Sequence, residues 1–224
     1  SRQALERGGQ PGFSLENIIF QDLVAAYYTK LDNLMINGSG SSGQPLGISQ
    51  VSGINSVTYT DASPTVAELY PKLADAVQGI NSNRFAPATA ILMHPRRWGF
   101  LTAGVDSSNR PLVLPAGNNP DNAAGVGDAA AYGQVVGSVL GLPVITDANI
   151  RTDLGAGTED AIYIAKVDDH IMFEDNLFQL KFEETNAGSL TTKMVVYGYV
   201  AFASGRYPKG ISEIVGSGLI APTF

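Results

Sequence analysis

The sequence predicts an α+β fold in which one long amphipathic helix packs on a long β-hairpin, with an α/β portion filling the middle of the chain. Three observations carry that expectation. Apolar residues recur at helical spacing near the start: Leu15, Ile18, Ile19, Leu23, Ala26, Tyr27, Leu31, Leu34 and Met35. Near the end, Phe178, Leu180 and Phe182 alternate with polar residues, and after Asn186-Ala187-Gly188-Ser189 a second extended segment runs over 190–203. Between them, short apolar runs alternate with helical stretches. At 224 residues, 44% hydrophobic, the chain can bury its own core without cross-links.

The first helix is expected over residues 14–36, with Ser14 as its N-cap and Asn17 three residues on. It must stop at Asn37-Gly38-Ser39-Gly40, because four glycines and one proline fall between positions 38 and 48. A second helix follows Ser63-Pro64, proline in its first turn, with the stripe Val66, Leu69, Leu73, Val77 and Ile80 and an end within 79–83. Residues 88–93 read as a short buried strand. His94-Pro95-Arg96-Arg97-Trp98 opens a short helix, proline again at its first position. The Gly-, Asn- and Ala-rich stretch 104–134 reads as a surface excursion and the most mobile segment. Gly141-Leu142-Pro143-Val144-Ile145 and Ala161-Ile162-Tyr163-Ile164-Ala165 are short strands. In the last long strand Val195, Tyr197, Tyr199 and Ala201 share one face and Met194, Val196, Val200 and Phe202 the other, so both faces should be covered. The long helix would cover one, burying Leu23, Tyr27 and Leu31 against residues 170–203. A second copy of the chain suits the other.

The search for chemistry excludes more than it finds. The absence of cysteine rules out disulfides, thiolate nucleophiles and cysteine-ligated metals. A net charge of -7 argues against sequence-specific nucleic-acid binding, which needs a basic face. A wall around DNA need only avoid sticking to it. His94 and His170, the two histidines, lie in different elements without metal-ligand spacing, so packing or surface placement is expected for both. The serines of Gly38-Ser39-Gly40-Ser41-Ser42-Gly43 fit no hydrolase, Walker or dinucleotide pattern. Asp168-Asp169, Glu174-Asp175 and Glu183-Glu184 read as solvated acids, Arg96-Arg97 as intersubunit or surface ion pairs, and Trp98 as a packing anchor. No catalytic, cofactor-binding or metal-binding residue is assigned.

The ordered set of segments resembles the tailed-phage major capsid proteins of the Hong Kong 97 fold. The carriers are Asn37-Gly38-Ser39-Gly40 with Gln44-Pro45-Leu46-Gly47-Ile48, then Met93-His94-Pro95-Arg96-Arg97-Trp98, where the family has Asn in place of His94. Asp106 to Arg110-Pro111-Leu112 follows, with Asn109 where Gly is usual, then Leu140-Gly141-Leu142-Pro143-Val144, and Val200-Ala201-Phe202-Ala203 to Arg206-Tyr207-Pro208.

The resemblance implies a discontinuous peripheral domain, 1–62 and 166–208, holding a spine helix against the hairpin, and an axial domain, 63–165 and 209–224. It implies a structural, non-enzymatic subunit of a phage or prophage icosahedral shell around double-stranded DNA. Its partners would be copies of itself in hexamers and pentamers and packaged DNA without sequence specificity, with no membrane and no small-molecule substrate. It would be made in the bacterial cytoplasm and reside in the virion. Some members cross-link a lysine to an asparagine with help from a glutamate in the long strand; Tyr197-Gly198-Tyr199-Val200 offers no such acid. Family subunits carry an arm and a loop before the spine helix, so the chain is expected to be truncated there and, taken alone, to form no closed shell. An encapsulin-like compartment shell is the alternative, and an enzyme would require a polar pocket around His94 or His170.

Overall fold

The computed structural model describes residues 13–106, 108–115, 125–127, 135–182 and 191–223, together with residue 5, residues 9–10 and residue 188. Helix α1 (Leu15–Asn37) starts where the apolar periodicity starts and ends at the glycine turn. The Ser14 side chain lies outside the described residues. At the turn, the Gly38 amide donates to the Leu34 carbonyl at 2.9 Å, Gly47 to Gly38 at 2.8 Å and Gly40 to Pro45 at 3.1 Å, so the segment that ends the helix is a clasp of backbone hydrogen bonds.

An eight-stranded sheet forms the middle of the molecule. Its order is β3 (Asn55–Thr58), β14 (Ile211–Val215), β9 (Ile162–Ala165), β4 (Ala90–Met93), β8 (Leu142–Thr146), β7 (Val135–Val139), β6 (Gly125–Gly127) and β5 (Val113–Pro115). Two further short strands, β1 (Gly9–Gln10) and β2 (Phe13–Ser14), pair with each other ahead of α1. β5 and β6 correct the expectation of an irregular excursion over 104–134, since both join the sheet edge. The remainder of that stretch, and with it the mobility expected there, lies largely outside the described residues. β3 pairs parallel with β14, so residues placed with the helix and hairpin by a boundary at 62 supply an edge strand to this sheet. Each sheet face has its own core. On one, α2 (Val66–Arg84) and α3 (Pro95–Ala103) pack with Leu69, Leu73, Ala76, Ile80, Ile91, Ile162, Ile164 and Ile214. On the other, the end of α1 and the turn after it meet Tyr163, Ile150 and Ile211 through Ile36, Ile48 and Val51. Each fully buried aliphatic side chain contributes about 1.5–3 kcal/mol.

Helix α2 is capped by Thr65, whose hydroxyl accepts from the Glu68 amide while the Glu68 carboxylate accepts from the Thr65 amide. Pro64 therefore precedes the cap and is not in the first turn. The helix also runs through Gly79 to Arg84, because burial of Ile80 outweighs the roughly 1 kcal/mol that one glycine costs. In α3, His94 is the N-cap: its Nδ1 accepts from the Arg96 amide at 3.1 Å, and Pro95 takes the first position as expected.

Of the two arginines that follow, Arg97 is not a surface group and Arg96 is only partly exposed. Arg97 and Asp160 are both fully buried, and Arg97 Nε and Nη2 donate to Asp160 Oδ2 at 3.0 and 2.7 Å. Arg97 Nη2 also donates to the carbonyls of Leu219 and Ile220, each at 2.7 Å, while Arg96 Nε donates to Asp160 Oδ1 at 2.8 Å. One aspartate thus ties α3, β9 and the end of the chain together.

The chain leaves the sheet after β9 and returns before β14, and the junction is held by a second ion pair. Arg84, at the end of α2, donates through Nε to Asp169 at 2.8 Å and stacks on Tyr207, 3.9 Å from its ring centroid. Asp169 is 6% exposed, so the solvated acid expected there is buried and paired; Arg84 holds its carboxyl below the usual aspartate range. Next to it, His170 lies on Phe202 at 6.1 Å between centroids, and neither of its buried ring nitrogens has a hydrogen-bond partner among the described residues. Burial holds its pKa below the ordinary 6.5, against the opposing pull of Asp169. Such a histidine favours folding only while neutral. Its contribution is complete above about pH 6.5 and is lost as the pH falls from there toward the folded-state value. The neighbouring Asp169–Arg84 pair keeps its charges through that window, since the Asp169 contribution is lost only as the pH falls below 3.8. The melting temperature should therefore drop as the pH falls below about 6.5, and His170→Phe should flatten the drop. Equal pH slopes for both proteins would refute this account.

Candidate functional site

The hairpin is two paired segments separated by a bulge. β10 (Ile171–Glu174) pairs antiparallel with β13 (Val200–Ala203), and β11 (Phe178–Phe182) with β12 (Lys193–Tyr197). Ile171 sits opposite Ala203 and Glu174 opposite Val200, whereas Phe178 sits opposite Tyr197. Three residues, 175–177, therefore face two, 198–199.

That extra residue decides which side chains share a face. Without it, Phe178, Leu180 and Phe182 would fall on the face opposite Phe173. With it, Phe173, Phe178, Leu180 and Phe182 on one strand line up with Val195, Tyr197, Tyr199 and Ala201 on the other. Cross-strand partners confirm the alignment: Phe178 stacks on Tyr197 at 5.1 Å, and Tyr197 meets Tyr199 edge to face at 6.0 Å.

Helix α1 takes the opposite face. Lys181, whose neighbours in its strand are Leu180 and Phe182, pairs with Glu16 at 2.8 Å. Tyr27 reaches the hairpin where it bulges: a Cβ on Gly198 would lie 2.5 Å from the Tyr27 hydroxyl, so the glycine lets that ring approach the strand closely. Leu31 is buried, while Leu23 and Tyr27, expected to be buried with it, are half-buried. The helix crosses the hairpin but does not seal it.

The outer face is left open. Phe173 is 62% exposed, Tyr199 68%, Phe182 42%, Phe178 39%, Leu180 38% and Tyr197 36%. Six large side chains exposed to this degree present roughly 600 Å² of mostly apolar surface, at or above the largest patch of an ordinary monomer. One partner of a stable interface buries about 800 Å². The face has the size and aromatic composition of a surface completed by another molecule.

The residues weighed for chemistry do not converge on it. His94 is a helix cap, His170 lies at the junction, and Asp168, Asp169, Glu174 and Asp175 are dispersed. Among the described residues no group of three acidic, histidine or cysteine side chains is placed to hold a metal ion, and no helix is long and apolar enough to cross a membrane. A groove of about 400 Å³ at the start of α2, lined by Thr65, Val66, Phe100, Val105 and Leu112 among others, carries no titratable side chain.

A sequence model of the phage capsid family matches residues 1–207. Among curated proteins none matches. The structure is similar to the capsid of an empty GTA particle, at 16% identity over 93% of this chain and 68% of that one, with a TM-score of 0.65. It is also similar to the holo-SrpI encapsulin complex from Synechococcus elongatus PCC 7942 (12% identity, 99% of this chain, 71% of that one, TM-score 0.65) and to Gordonia phage Cozz (16%, 91%, 64%, 0.59). At these identities the likeness is one of mixed α+β fold.

Proposed function

The chain belongs to the phage capsid family and is a structural subunit of a phage capsid; from that premise we propose how it builds a shell. The reading is a Hong Kong 97-type subunit in which α1 is the spine helix. Residues 1–62 and 166–208 form the peripheral domain, 63–165 and 209–224 the axial domain, and β3 passes from the first into the sheet of the second. Copies associate into hexamers and pentamers that close an icosahedral wall around double-stranded DNA, after synthesis in a bacterial cytoplasm. The DNA is enclosed without being gripped, in keeping with the net charge of -7. The role is mechanical and needs no catalytic group. The match to the capsid family favours this reading over a compartment shell.

The observation that carries the proposal is the uncovered aromatic face of the hairpin, which is too large and too apolar to remain in water. Electron microscopy and light scattering of the full gene product should show closed particles. Phe173→Asp would bury an unpaired charge in the contact and raise the protein concentration needed for assembly by about 100-fold or more. Its melting temperature should stay near that of the wild type, because Phe173 is 62% exposed in the subunit. Wild-type protein that forms no particles would refute the assembly reading, and assembly of Phe173→Asp at the wild-type concentration would refute the role of this face.

A further inference from the structure

Phe85 carries two penalties at once. It is the C-cap of α2 in the left-handed region, at φ 56°, where glycine is the usual residue and a bulky side chain is strained. It is also 91% exposed. Nothing among the described residues of the subunit offsets either penalty, so a contact outside the subunit accounts for the side chain. The corner around it has the composition of a binding hot spot. Tyr207, 36% exposed, is stacked by Arg84 at 3.9 Å and by Arg206 at 4.9 Å, and Val167 is 47% exposed. Arg206 and Lys209 are exposed beside it.

We propose that Phe85 of one subunit seats on the sheet-side half of the apolar hairpin face, at Phe173 and Tyr199, of the next copy. Arg206 and Lys209 then oppose the next copy's Asp175. The proposal rests on the shell-subunit reading and names the other half of its interface.

Three observations choose this occupant. The charges are complementary: the Phe85 corner is flanked by Arg206 and Lys209, whereas Phe173 and Tyr199 flank the exposed Asp175 at the bulge, whose amide donates to the Tyr199 carbonyl at 3.0 Å. The positions are compatible. The Arg84–Asp169 pair fixes the corner to the junction where the hairpin begins, and Phe173 lies four residues further on, in β10. Patches at similar distances from the sheet can meet when subunits are related by rotation. The two patches also differ, as a head-to-tail contact requires, so each subunit offers one and receives the other and the pairing propagates round a ring.

The chain has no cysteine, so engineered thiols report the contact without background. The full gene product carrying both Phe85→Cys and Tyr199→Cys, assembled and then treated with an oxidant or a short bismaleimide, should give a ladder of linked chains. Mixing the two single variants should give linked dimers, and neither single variant alone should do so. Phe85→Gly should raise the melting temperature of the subunit by about 2–4 °C, through relief of the strained backbone. It should also raise the concentration needed for assembly about tenfold; a residue serving only the fold would move the first reading alone. Particles that form without a ladder, self-linking of either single variant, or Phe85→Gly that assembles like the wild type would overturn the contact and leave the shell reading standing. Wild-type protein that never assembles would overturn both.

Discussion

Asp160→Ala is expected to cost about 3–5 kcal/mol of folding stability, the largest effect of any single side-chain truncation outside the apolar core. The reason is the environment of its partner. Arg97 is fully buried, and burial pulls its pKa down, yet a guanidinium does not release its proton in a protein. Without Asp160 it would remain as an uncompensated charge between α3 and the end of the chain. Its bonds to the Leu219 and Ile220 carbonyls would be the main contacts left. Arg96 matters less, because its side chain is 30% exposed and can turn to water. Two companions separate charge from packing. Asp160→Asn keeps hydrogen-bonding atoms but removes the charge and should lose most of the same stability. The double change Arg97→Met with Asp160→Leu removes both charges and should recover much of the loss. Urea denaturation of the three variants measures this. A loss under about 1 kcal/mol for Asp160→Ala would mean that water reaches Arg97, and the burial assigned to the pair would be wrong.

The regular elements were legible because they follow local periodicity. The 3.6-residue stripe placed α1 and α2, and the alternation of Phe178, Leu180 and Phe182 placed the hairpin. The features that escaped depend on partners far along the chain. Asp160 lies 63 residues from Arg97, so Arg96-Arg97 reads as a surface pair until the fold brings the acid in. β3 reads Asn-Ser-Val-Thr, too polar to signal a strand, and is recruited by β14 more than 150 residues later. The bulge at 175–177 looks like a simple break, although its effect is to keep the aromatic residues on one face. That face itself was foreshadowed by a last strand apolar on both sides. Phe85 was not, since a lone aromatic after a helix is unremarkable until its left-handed backbone and its exposure are seen together. His94 did leave a usable signal, being the residue before a proline that opens a helix.

Gly47→Ala is expected to cost about 3 kcal/mol or more, out of proportion to the addition of one methyl group. A Cβ at this position would lie 2.5 Å from the Gly38 nitrogen and 2.6 Å from the Ile36 carbonyl oxygen. Both are backbone atoms, and the Gly38 nitrogen is tied to the Leu34 carbonyl, so neither can swing aside as a side chain would. To make room, the strand of the turn carrying Gly47 must lift. That breaks its 2.8 Å bond to Gly38 and loosens the 3.1 Å bond between Gly40 and Pro45. The displacement would reach further, because the neighbouring Leu46 carbonyl accepts from the Ser204 hydroxyl at 2.6 Å, beside the return of the hairpin to the sheet. Ile48, one residue on, belongs to the core joining the end of α1 to the sheet. A methyl group at Gly47 therefore disturbs the fixed angle between α1 and the sheet as well as the turn. Gln44→Ala serves as the control on the same turn. Its side chain accepts from Ser39 at an exposed position, so its loss should cost under about 0.5 kcal/mol. Chemical denaturation of the two variants side by side gives the comparison. Similar small losses for both would show that the turn yields easily and that the close backbone approach is not what requires glycine there.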